Sequence, residues 1–164
     1  MAKDISLFRL GTDSDCVPSE TRAGESVAAE NVIRFPLSAD RLDHFIQRDG
    51  QTYAGSHLIV DLWGASRLDE LDHIEETLRA AADAAGATVL HVHLHHFTPN
   101  GGVSGVVVLA ESHISIHTWP ECDYAALDVF MCGDAEPKRT LPVLEEAFRP
   151  ERVELGDHKR GVIK

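Results

Sequence analysis

The sequence predicts an α+β fold, a two-layer α/β sandwich whose antiparallel or mixed sheet carries its helices on one face. Three observations lead there. Two stretches, 68–85 and 137–148, repeat apolar residues at helical spacing. Strand-like runs follow one another in close succession between them, and two of these runs alternate strictly. The resulting order, β-α-β-β-β-β-α-β, puts two helices over one sheet face and leaves the other face needing cover. At 164 residues the chain fits one domain able to bury a single core.

His57–Trp63 is a short apolar run with the pattern of a strand, and Gly64 punctuates its end. Leu68, Leu71, Ile74, Leu78, Ala81, Ala82 and Ala85 then recur at helical spacing. Asp69, Glu70, Glu75 and Glu76 load the first half of that helix, where the macrodipole favours acids, and Gly86 stands where a terminating glycine belongs. Ala87–Phe97 reads as a strand, residues 98–102 as a turn, and Val103–Ala110 as an apolar strand expected to be buried on both faces. In 113–119, Ile114, Ile116 and Thr118 point one way and His113, Ser115, His117 and Trp119 the other, until Pro120 ends the strand. In 124–132, Leu127, Val129 and Met131 share one face and Asp128, Phe130 and Cys132 the opposite one. Leu141, Leu144, Ala147 and Phe148 mark the second helix, and Arg152–Leu155 a last short strand. Residues 1–50 read as an N-terminal extension, partly ordered at most, with Leu42, Phe45 and Ile46 on a short amphipathic helix. Residues 51–164 form the domain proper.

A net charge of -12 argues against a nucleic-acid partner and against an anionic membrane surface. The three cysteines, Cys16, Cys122 and Cys132, are an odd number with no CxxC pair, which points away from a disulfide framework or zinc knot and toward a reducing compartment. The N-terminus has no apolar signal core, and the longest apolar run, Val106–Ala110, is far short of the ~18 residues of a membrane span. These features place the chain in the cytoplasm.

The chemistry concentrates in 111–132. Ser112 follows a peptide carbonyl that its hydroxyl is able to attack, but a serine is a weak nucleophile without a base, and no Gly-x-Ser-x-Gly elbow surrounds it. Alone it reads as a turn residue. His117 and Cys132 fall on the strand faces opposite the aliphatic set, and their ordinary pKa values (~6.5 and ~8.5) suit proton exchange near neutrality. His91, His93 and His95 form a competing constellation on one strand face, with His96 on the other. Imidazoles bind zinc, copper, iron or nickel, yet three on one strand span about 13 Å and need ligands from a neighbour. A polar sheet face is the simpler reading.

The string Glu111-Ser-His-Ile-Ser-Ile-His-Thr-Trp-Pro-Glu121, followed by Tyr124-Ala-Ala-Leu-Asp-Val-Phe-Met-Cys-Gly133, closely resembles the small prokaryotic S-adenosylmethionine decarboxylase proenzymes. So does His96-Phe-Thr-Pro-Asn-Gly-Gly-Val-Ser-Gly105. The resemblance runs from about Gly55 to Gly161 and excludes residues 1–50. It implies a chain that cuts itself between Glu111 and Ser112, giving a β chain of 1–111 and an α chain of 112–164. Ser112 attacks the Glu111 carbonyl to exchange amide for ester, β-elimination follows, and Ser112 becomes a pyruvoyl group. His117 matches the processing base and Ser104 a residue that assists. The pyruvoyl cofactor forms a Schiff base with S-adenosylmethionine and accepts electrons as carbon dioxide leaves, toward spermidine synthesis. Cys132 matches the proton donor, Glu121 the carboxylate that holds the ribose, and Phe97 the ring that stacks on adenine, with Trp119 beside it. An (αβ)₂ dimer of self-cleaved units is implied, with no metal. The Asn100-Gly101-Gly102 turn is one residue longer than usual. Rival readings are an arginine or ornithine decarboxylase with the same pyruvoyl chemistry, a histidine-rich metal protein, and a silent homologue acting as a partner subunit.

Overall fold

A computed structural model describes residues 45–163 of the chain. Most of the 1–50 extension, including Leu42 and Cys16, lies outside the described residues. The elements in order are β1 (Ile46–Arg48), β2 (Gln51–Tyr53), β3 (Gly55–Trp63), α1 (Leu71–Ala84), β4 (Val89–His96), β5 (Val103–Leu109), β6 (Ser112–Trp119), β7 (Tyr124–Met131), α2 (Thr140–Phe148) and β8 (Arg152–Arg160). From β3 onward this is the predicted order. Six strands form one sheet in the order β4-β5-β6-β7-β3-β8, and every neighbouring pair is antiparallel.

Side-chain alternation decides which face is the core. Leu58, Val60 and Leu62 of β3, Ile114 and Ile116 of β6, and Leu127, Val129 and Met131 of β7 are buried with Ile74 and Leu78 of α1 and Leu144 and Phe148 of α2. Each such side chain contributes about 1.5–3 kcal/mol by leaving water. Both helices therefore cover one face. Gly86, with φ +77°, follows the end of α1, and left-handed backbone suits glycine there. Before α2, a 3-10 turn takes up Pro137–Arg139.

Several expectations are corrected. Val103–Leu109 is not buried on both faces: Val103, Val107 and Leu109 enter the core, while Val108 on the other parity is 39% exposed. Its apolar composition had concealed the alternation. Ile46 starts a strand rather than ending a helix, because Asp49 and Gly50 both take positive φ (54° and 70°) and turn β1 back onto β2. β8 runs on to Arg160, well past Leu155, as an edge strand whose polar residues give no apolar signal. Cys122 is disulfide-bonded, against the reading of unpaired cysteines, since cysteine spacing says nothing of which thiols the fold brings together. Cys132 keeps a free thiol. No helix among the described residues is long and apolar enough to cross a membrane.

Candidate active site

Ser112 is the first residue of β6. The preceding hairpin is tight: Leu109 pairs with Ser112, so only Ala110 and Glu111 make the turn. Glu111 holds φ +65°, the left-handed region. That conformation costs a side-chain-bearing residue about 1–2 kcal/mol. Ser112 is 8% exposed, and its hydroxyl oxygen accepts a hydrogen bond from the Cys132 backbone N–H at 3.1 Å. Glu111, Ser112, Cys132, Gly133 and Asp134 border a cavity of about 370 Å³, closed on another side by residues 86–88. Burial, and then the Glu111 carboxylate, push the Cys132 thiol above its ordinary pKa. At neutral pH it carries its proton.

A second cluster gathers at the opposite end of β5 and β6. Register places Ser104 across from His117, and the Ser104 hydroxyl lies 3.1 Å from His117 Nδ1. The Phe97 ring meets His95 edge-on at 4.6 Å, in the loop joining β4 to β5. Thr118 ties this end together from the core side: its hydroxyl donates to the Leu68 carbonyl and accepts from Val103 N–H, each at 2.7 Å. Trp119 stacks between His117 (6.0 Å) and Tyr124 (5.2 Å), and Tyr124 stacks on Trp63 (4.3 Å). The Tyr124 hydroxyl donates to Asp61, and burial together with that bond holds its pKa well above the usual phenol range. Glu121 follows in the 3-10 turn Pro120–Cys122, exposed at the same end.

Folding of one chain does not bring the two clusters together. Ser112 and His117 are five residues apart on one extended strand, roughly 16 Å. Ser112 shares the parity of the buried Ile114 and Ile116, whereas His117 shares that of His113 and Ser115 on the open face. Phe97, Ser104, His117, Trp119 and Glu121 thus sit at one end and Glu111, Ser112 and Cys132 at the other.

The middle of the open face is polar and ordered. Arg160 donates to His57 Nδ1 at 3.0 Å, and His57 Nε2 lies 3.0 Å from an Asp128 carboxylate oxygen. A guanidinium has no acceptor, so Nδ1 is the bare nitrogen and Nε2–H donates to Asp128. The other Asp128 oxygen accepts from Ser115. His91, His93 and His95 lie along β4 opposite Val108, Val106 and Ser104. Among the described residues, no group of three or more His, Cys, Asp or Glu side chains is placed to hold a metal ion.

Residues 56–161 match the family model described as S-adenosylmethionine decarboxylase. The chain belongs to this family. A protein of Thermomicrobium roseum named S-adenosylmethionine decarboxylase proenzyme is 48% identical over 110 residues, covering 66% of this chain and 95% of that one. A Methanococcus maripaludis protein of the same name is 51% identical over 112 residues, covering 66% and 91%. Among solved structures, the adenosylmethionine decarboxylase from Aquifex aeolicus VF5 superposes with a TM-score of 0.60 at 36% identity, covering 68% of this chain and 94% of that one.

For a member of the S-adenosylmethionine decarboxylase family, the matched span holds both clusters and all eight residues singled out from the resemblance. Pattern reasoning passed over three features. Thr118 counted only as a core-facing strand residue. The His57–Asp128–Ser115 network depends on strand register, and the Glu111 backbone angle has no sequence signal beyond the shortness of the turn.

Proposed function

We propose that this chain is the precursor of a pyruvoyl-dependent S-adenosylmethionine decarboxylase that cuts itself between Glu111 and Ser112. The observation that carries the reading is the setting of Ser112: a buried serine closing a two-residue turn, beside the only free thiol among the described residues. The residues present fit formation of the group. The hydroxyl is adjacent to the Glu111 carbonyl in sequence, a backbone N–H already contacts its oxygen, and the cavity leaves space beside it. A pyruvoyl group supplies an electron sink next to the substrate amine.

The chain's own residues divide the remaining work. Cys132, held protonated, delivers a proton to the substrate α-carbon. Glu121 offers an acceptor-only carboxylate to the ribose diol. Phe97, 46% exposed, offers a ring face to adenine, with Trp119 in reach of the sulfonium. His117 removes the proton that drives cleavage, and Ser104 sets its ring.

Because Ser112 and His117 lie about 16 Å apart along β6, His117, Ser104, Phe97 and Glu121 act on a second copy. They approach the Glu111–Ser112 bond at the exposed 110–111 turn at the end of its sheet, since the Ser112 side chain itself lies on the helix side. Two-fold stacking of the open faces makes two equal composite sites and an (αβ)₂ dimer. Ile59, Val108 and Trp119, all on that face and more than a third exposed, lose water in the process. Glu121 and Phe97 favour a nucleoside substrate over arginine or ornithine.

Intact-mass measurement of purified protein checks the reading. Two fragments ending at 111 and starting at 112 are expected, the latter with a blocked N-terminus, and Ser112→Ala leaves one full-length chain. A wild-type protein that stays whole, or that releases carbon dioxide from arginine and not from S-adenosylmethionine, overturns it.

A further inference from the structure

A two-residue hairpin turn needs left-handed backbone at one or both of its central residues, and in the turn that precedes Ser112 a glutamate fills that position. Of its two residues only Glu111 lies at positive φ, and glutamate has neither the freedom of glycine nor the left-handed tolerance of asparagine or aspartate. Its surroundings hold it there. Ala110 N–H is bonded to the Thr88 carbonyl at 2.9 Å, Leu109 and Ser112 are paired, and the Ser112 oxygen is held by Cys132 N–H. Other non-glycine residues at positive φ include Asp49 in the first hairpin turn, Asp123 after the 3-10 turn and Arg149 after α2. None of those adjoins a bond that the chain is read to cut.

We propose that the left-handed backbone of Glu111 is a strained positioning element that favours transfer of its acyl group from the Ser112 nitrogen to the Ser112 oxygen. The inference rests on the self-cleavage reading above. In the step, the Ser112 oxygen bonds to the Glu111 carbonyl carbon, the carbon–nitrogen bond breaks, and the hydroxyl proton ends on the freed amine. The link from the Glu111 carbonyl carbon to the Ser112 α-carbon then runs through oxygen and the β-carbon instead of nitrogen alone. It is one atom longer. That extra atom slackens the turn and lets Glu111 leave the left-handed region, so strain present in the amide is absent from the ester. An ester is intrinsically the less stable of the two, and relief of strain offsets part of the difference.

Glycine occupies positive φ without steric cost. A Glu111→Gly chain therefore starts relaxed and gains nothing from the transfer, while Glu111→Ala keeps the strain. Both lack the glutamate side chain, so their difference isolates the backbone. With hydroxylamine present to cut any ester formed, Glu111→Ala is expected to yield the fragment starting at residue 112 about tenfold faster than Glu111→Gly, with Glu111→Asn between them. In a Ser112→Ala background, where no cleavage intervenes, Glu111→Gly is expected to withstand more urea than Glu111→Ala. An alanine variant that cleaves no faster than the glycine variant, zero in both included, overturns the inference, as does equal resistance to urea. A wild-type chain that is never cut at 111–112 removes the self-cleavage reading itself. A wild-type chain that is cut, with alanine and glycine alike, removes only the strain.

Discussion

Cys132 follows directly on the last residue of β7, with its backbone N–H on Ser112 and its thiol beside the cavity. Burial raises its pKa first and the nearby Glu111 carboxylate adds to the rise. For an acid this sign means that the neutral form persists beyond the ordinary thiol value of ~8.5. A group that must give a proton at each turnover benefits from that shift, whereas a nucleophilic cysteine needs the reverse. The kcat of the mature protein is expected to hold through neutral pH and fall only as pH rises through the raised thiol pKa. Cys132→Ala is expected to lower kcat by about 10²–10⁴-fold and to remove that alkaline limb. A limb between pH 7 and 8, or one unchanged in the variant, contradicts the assignment. At the residue scale, Ser112, His117 and Cys132 were singled out because their types stand out on strands otherwise built for packing.

At the scale of elements, alternation along β6 and β7 located both faces correctly, because each strand has one side in the core and a period of two leaves little ambiguity. β5 resisted the same reading, since valines stand on its open side as well as in the core. The β1–β2 hairpin was legible in Asp49-Gly50 but was set aside with the polar residues around it. What joins the elements was less visible. Thr118 lies between His117 and Trp119 and fixes the end of β6 to Val103 of β5 and to the loop before α1. Thr118→Val keeps the shape and leaves a buried N–H and carbonyl unpaired, at a cost of about 1–3 kcal/mol. Urea unfolding of the uncleaved Ser112→Ala protein is expected to show that loss, and Thr118→Ser most of its recovery. Equal midpoints for Thr118→Val and its parent would mean that the two bonds add nothing.

At the scale of the whole molecule, helices cover one face of the sheet, and among the described residues none covers the other. A sequence records which residues alternate but not which copy completes the pattern. The distance from Ser112 to His117 follows once Ser112 is known to be the first residue of β6, continuous with the alternating strand after it. A sheet–sheet contact sets the inner faces about 10 Å apart, close enough for side chains from both to meet. In the dimer proposed above, with a two-fold axis between β6 and its counterpart, the Ser104–His117 end of each copy would reach the 110–111 turn at the end of the other's sheet. The arrangement has a consequence that a site within one chain does not share. Ser112→Ala and His117→Ala are each expected to stay whole when made alone. Produced together and allowed to exchange partners, they form mixed dimers holding one intact composite site: the Ser112 of the His117→Ala chain with the His117 of the Ser112→Ala chain. Random pairing gives mixed dimers about half the time, so roughly half of the His117→Ala chains should be cut and none of the Ser112→Ala chains. Mass spectrometry separates the two products. Cleavage of His117→Ala chains by themselves would remove His117 from processing. Failure of the mixture to cleave, with dimers present by sedimentation, would place both residues in one chain's site and require that chain to bend where the sheet shows none.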